Sequence, residues 1–173
     1  MRFLMKEAVE VLERTPGVMD ALLRGKSAAW LRCQLSPDSF SPIDVLGHLI
    51  WGEITDWIPR ARIILECQES RAFDPFDRFG FRPLIEGKTP EELLGQFAEL
   101  RERNLHALQG LGLGERQLDL RGVHPELGQV SPRNLLATWV VHDLGHTAQV
   151  LQAMSNEYNE AVGPWREYLS ILK

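Results

Sequence analysis

Cysteine is scarce in this 173-residue chain, with only Cys33 and Cys67 and no Cys-x-x-Cys pairing. That excludes a disulfide framework or a thiolate zinc ribbon, and the two are read as buried apolar thiols. Basic runs are missing as well. Nineteen Lys and Arg against twenty-four Asp and Glu give a net charge of −5. Such a balance repels a phosphate backbone and argues against a nucleic-acid partner. The longest apolar stretch of note, Leu135 to Val141, falls far short of the ~20 residues a membrane span needs. Lys6, Glu7 and Glu10 interrupt any signal-like apolar segment near the start. A soluble, cytoplasmic protein with no membrane partner is expected. Alternating β-branched runs with an Asn-Gly-type turn are also lacking, which predicts an all-α chain.

What is present suits a folded domain. Apolar residues at 44% and charged residues at 25% are ordinary globular values. Size scaling predicts roughly 8,600 Å² of folded surface and about 70% burial, so one domain over 1–173 with one core is expected. Four hydroxyl–proline pairs mark helix starts: Thr15-Pro16, Ser41-Pro42, Thr89-Pro90 and Ser131-Pro132. In each the hydroxyl caps an orphan N–H, while proline at the first helical position gives up nothing. Apolar residues then recur at steps of three and four: Ile43, Leu46, Ile50, Ile54, Trp57, Ala61 and Ile64 after the second start. Long helices are predicted over 42–69, 90–110 and 132–154, with an N-terminal helix over 3–14, a break at Pro16-Gly17 and a shorter helix to Leu23. A short helix from Trp165 to Leu172 follows Gly163-Pro164. These lengths suit a four-helix bundle with short extra helices.

Five histidines separate by geometry. His142 and His146 stand at i and i+4, on the sector that also carries Leu135, Trp139 and Ala153. Two imidazoles on an apolar face need partners, because an unpaired buried polar group costs about 1–3 kcal/mol. A shared metal ion satisfies both. His48 lies on the flank of its stripe, where a satisfied structural histidine and a ligand are even alternatives. His106 points away from the apolar side of its helix, and His124 falls in a loop.

A histidine in the second long helix, followed 94 residues later by His142-Asp-x-x-His146-x-x-Gln149, resembles the DinB/YfiT-like superfamily. Ser41-Pro-Ile-Asp-Val-Leu-Gly-His48, Asp74-Pro-Phe-Asp77 and His124-Pro-Glu-Leu-Gly128 carry the likeness over nearly the whole chain. The resemblance implies a bundle with a crossover connection and a divalent metal, Zn or Ni foremost, held by His48, His142 and His146. It further implies a small-molecule substrate, a metal-dependent hydrolase or a transferase using a low-molecular-weight thiol, and a homodimer.

Three neutral imidazoles leave one coordination position open, as in catalytic rather than structural zinc sites. Asp44, Thr138, Asp143 and Gln149 are candidate acceptors for the outer ring N–H groups. Asp44 as a helix cap and Asp143 as a solvated acid are the competing readings. The 70–88 segment, with Phe73, Phe76, Phe79 and Phe81 among Arg71, Arg78 and Arg82, either lines a pocket over the metal and clamps an anion or packs on the bundle end. Two further functions compete. A non-catalytic metal- or small-molecule-binding bundle uses the same residues, and a zinc peptidase would use Asp143 as the base of a shortened His-Glu-x-x-His motif.

Overall fold

The computed structural model describes residues 3–173. Among them the chain runs α1 (Met5–Leu12), α2 (Thr15–Leu23), α3 (Ala28–Arg32), α4 (Pro42–Thr55), α5 (Trp57–Cys67), α6 (Arg82–Ile85), α7 (Pro90–Gly110), α8 (Glu115–Leu118), strands β1 (Gly122–His124) and β2 (Gly128–Val130), and α9 (Pro132–Asn156). Two 3-10 turns, Gly163–Tyr168 and Ser170–Leu172, close it in place of the expected terminal helix. No helix of the described residues is long and apolar enough to cross a membrane.

Three of the four hydroxyl–proline starts form capping boxes. Ser41, Thr89 and Ser131 each accept a backbone N–H from the residue three positions on, and Asp44, Glu92 and Asn134 return the bond. Thr15 differs: it is already inside α2, and its hydroxyl donates to the Val11 carbonyl. The N-terminal break therefore falls at residues 13–14, ahead of Pro16. Proline has no N–H to give the Leu12 carbonyl four residues back, so α1 stops there.

The helix expected over 42–69 is also two helices. Pro59 cannot donate to the Thr55 carbonyl, and its ring crowds that turn. The chain bends at Asp56 (φ −102°, ψ −74°), and Ile54 is left exposed although the periodic stripe had placed it inside. The 111–130 connection holds the antiparallel β1–β2 hairpin, which pairs Val123 with Gln129. This departs from an all-helical chain, because a three-residue strand is too short to show an alternating pattern. At Gly122 a Cβ would stand 2.6 Å from Ile64, so glycine lets the hairpin lie directly on α5. Cys33 is buried and Cys67 only half-buried, and both are free thiols.

The N-terminal pair α1–α2 and the bent pair α4–α5 each pack against both α7 and α9. That arrangement puts α7 and α9 at opposite corners of a four-helix bundle, and the chain crosses over to pass from one to the other. The single core expected from size is instead two apolar clusters. One gathers Met19, Leu46, Ile50, Phe97 and Val150; the other gathers Leu12, Trp57, Ile64, Leu108 and Trp139.

A buried charged layer lies between them. Arg101, 1% exposed, donates to Glu53 (2.8 Å), to both oxygens of Asp143 (2.6 and 3.1 Å) and to the Leu12 carbonyl (2.7 Å). Glu53 also accepts from Asn104 and from the Trp139 indole. Burial opposes the charge on Arg101, yet the two carboxylates hold its pKa above the ordinary value.

Removing one partner from a buried ion group costs about 3–5 kcal/mol, whereas replacing the whole group by apolar residues is often neutral or better. Arg101→Leu is expected to lower unfolding stability by about that amount in urea. The triple variant Glu53→Met, Arg101→Leu, Asp143→Leu is expected to recover most of the loss. An Arg101→Leu protein as stable as the parent would contradict this account.

Candidate metal centre

His48 sits on α4 just beyond Gly47, where a Cβ would come within 2.7 Å of Phe81 and closer still to Ile85. Glycine at that position lets the 70–88 segment close down on α4 beside the histidine. His142 and His146 project from α9. The outcome is convergence: the ligand atoms of His48, His142 and His146 all lie within 4.8 Å of one another. The Nε2 atoms of His48 and His142 are 3.2 Å apart. Two nitrogens bound tetrahedrally to one zinc at 2.0–2.1 Å would stand roughly 3.3 Å apart, so this pair already has the spacing of shared ligands.

The outer nitrogens behave differently. His146 Nδ1 meets Gln149 Oε1 at 2.9 Å, which leaves its Nε2 for the cluster. His48 Nδ1 and His142 Nδ1 are buried without a hydrogen-bond partner. Only Gln149 of the four candidate acceptors therefore reaches an imidazole. Asp44 spends its carboxylate on the Ser41 backbone and hydroxyl, as the capping reading had it. Thr138 lines the cavity but bonds no ring in the structure. Asp143 corrects both of its readings: it is neither a solvated acid nor an imidazole acceptor but is buried against Arg101. Its engagement there also removes the base a zinc peptidase would need.

Burial drives the electrostatics. The His48 pKa is lowered to about 4, by desolvation first and then by the charge of His146. That of His142 falls to about 3, by desolvation and then by His146 and His48. His146 is lowered too, again by burial, with Gln149 and Asp143 working against the shift. The three rings are thus neutral at pH 7, the protonation state metal ligation requires.

A cavity of about 490 Å³ opens over the cluster. Phe40, Trp57, Phe73, Phe76 and Leu135 supply its apolar wall, and Asp56, Arg60, Arg78 and His124 its polar one. The 70–88 segment both lines the cavity and packs into the core. Phe73, Phe76 and Arg78 face the cavity, while Phe81 is buried in the core and Phe79 is exposed. His124 arrives from β1, and its Nδ1 accepts from the Glu126 and Leu127 backbones. His106 is exposed, as its sector indicated.

Asp56 was not foreseen. The bend before Pro59 turns it into the wall, where Arg60 Nε lies 2.8 Å away. Desolvation pushes its pKa up to about 6, and Arg60 pulls the other way.

A profile of the DinB superfamily matches residues 11–150. Among solved structures, YfiT from Bacillus subtilis, described as "a probable metal-dependent hydrolase with an unusual four-helix bundle topology", superposes with a TM-score of 0.72. It is 21% identical, with 91% of this chain and 87% of that one covered. TT2238, described as "a four-helix bundle protein", gives 0.56 at 24% identity over 86% of this chain and 98% of that one. At these identities the two structures establish the fold. No curated protein matches the chain.

The depressed histidines carry a stability consequence in metal-free protein. A folded pKa below the ordinary 6.5 means that the unfolded chain binds more protons as pH falls. Stability is complete above about 6.5 and is lost toward about 4 for His48 and about 3 for His142, on the order of 3 and 5 kcal/mol. Asp56 opposes this, since a raised carboxyl pKa stabilises at low pH and the gain is lost as pH rises through about 6. The diagnostic quantity is therefore a difference. His142→Phe is expected to flatten the fall in urea stability below about pH 6.5 relative to the parent, and an unchanged slope would refute the assignment.

Proposed function

The chain belongs to the DinB superfamily, and on that premise we propose that it is a divalent-metal protein acting on a small molecule in the cavity. His48, His142 and His146 are the ligands, with Zn or Ni the ions that best suit three imidazoles. The observation that carries the reading is the 3.2 Å approach of the His48 and His142 Nε2 atoms within a three-histidine cluster whose ligand atoms all lie within 4.8 Å of one another. An ion held at these nitrogens would engage His48, His142 and His146 together, which a contact between two of the rings does not.

The reaction class is metal-dependent hydrolysis or transfer to a low-molecular-weight thiol. An ion bound by three neutral histidines keeps a position open, supplies Lewis acidity, and makes a water or thiol that joins it more acidic. The chain's own residues do the rest. Gln149 fixes the ring of His146 through its Nδ1. Trp57 stands edge-on to His142 and Phe76 edge-on to His48, 5.1 and 5.5 Å between ring centres, and together they keep bulk water off the cluster. Asp56, with a carboxyl pKa near 6, is placed in the same wall to take or return a proton at neutral pH.

Metal content of protein purified without a histidine tag tests this. One ion per chain is expected, retained by His106→Ala. His48→Ala and His142→Ala should each lose far more affinity than the 10–100-fold expected of Gln149→Ala. Stoichiometric metal that survives both ligand substitutions would end the proposal. A protein that holds metal yet turns over no ester, amide or thiol-accepting electrophile would be a binding bundle instead.

A further inference from the structure

The charges of the cavity wall do not balance. Asp56 and Arg60 neutralise each other at 2.8 Å, both side chains nearly buried. The histidines are neutral. That leaves Arg78, for which no carboxylate lies within ion-pair distance among the described residues. Arg78 is exposed to solvent, and its guanidinium rests over the Phe40 ring at 5.0 Å where it lines the cavity. It lines the same cavity as His48, His142 and His146. A chain of net charge −5 thus presents a positive spot on the cavity lining, and a divalent ion would make it more positive still.

We infer that the cavity takes a small amphipathic anion: an aromatic or apolar body against Phe73, Phe76 and Trp57, and a carboxylate-type group held by Arg78 beside the three histidines. This rests on reading the cavity as the ligand site but not on the ion being present. A charge-assisted bond in a partly dry site favours the anion over its neutral isostere by about tenfold.

The probes are 4-phenylbutyrate and 4-phenylbutanol, titrated calorimetrically into EDTA-treated and zinc-loaded protein. The acid is expected to bind about tenfold tighter than the alcohol in both forms. Arg78→Met should abolish that preference, while Arg71→Met, an exposed arginine paired with Asp74 outside the cavity, should keep it. Equal binding of acid and alcohol, no binding of either, or a preference that survives Arg78→Met would overturn the inference. A preference kept by EDTA-treated protein that takes up no zinc supports it and counts only against the metal proposal.

Discussion

Everything the histidines do depends on one buried guanidinium. Arg101 ties α7 to α4 through Glu53, to α9 through Asp143 and to the end of α1 through the Leu12 carbonyl. That carbonyl is free because Pro16 has no N–H to offer it, so a helix break in one element becomes an anchor for another. Apolar packing alone tolerates sliding by a turn, since one Leu fills the place of the next. A charge buried at 1% exposure does not, because any shift strands it or its carboxylates away from water. The layer thus sets the axial register of the helices that carry the ligands.

The site is built outward from that layer. His48 lies five positions before Glu53 on α4, and His142 and His146 flank Asp143 on α9. At 100° per residue, Asp143 turns toward the bundle axis while its histidine neighbours turn toward the cavity. Trp139 connects the two levels. Its indole donates to Glu53, its ring stacks on Trp57 at 5.5 Å, and Trp57 in turn meets His142 edge-on. The rings are therefore oriented by packing and register, with little help from hydrogen bonds to their outer nitrogens.

Reading the chain without coordinates recovers whatever is local. The caps at Ser41, Thr89 and Ser131, the stripe Leu93–Phe97–Leu100 and the i,i+4 histidine pair all follow from spacing, and all appear in the structure. Thr15 misleads because a hydroxyl before proline looks the same at N-cap and one residue inside. Pro59 was hidden by an apolar pattern that continues across it. His124 and Asp56 join the cavity through a hairpin and a bend, which sequence separation does not reveal. The charged layer did leave a trace. Glu53 stands in the series Leu46, Ile50, Trp57, and Arg101 in Leu94, Phe97, Leu105, Leu108, both at apolar positions. A charge at such a position is either an error of register or a buried partner, and two of opposite sign on two helices mark a network.

The same accounting explains why this site is electrostatically poised rather than merely apolar. Removing three imidazoles from water keeps them neutral, and neutral rings keep their lone pairs available. Had the acid beside them, Asp143, faced the cavity, it would have stabilised imidazolium and competed with any cation for those lone pairs. Turned onto Arg101, it opposes the lowering of His146 without overcoming burial, and the same carboxylate stabilises the bundle. Asp56 is handled likewise, matched by Arg60 so that its charge cancels at the wall. What remains uncompensated is Arg78. The fold spends its acids on its own cations everywhere around the histidines except at that one, and the exception lies where a ligand would enter.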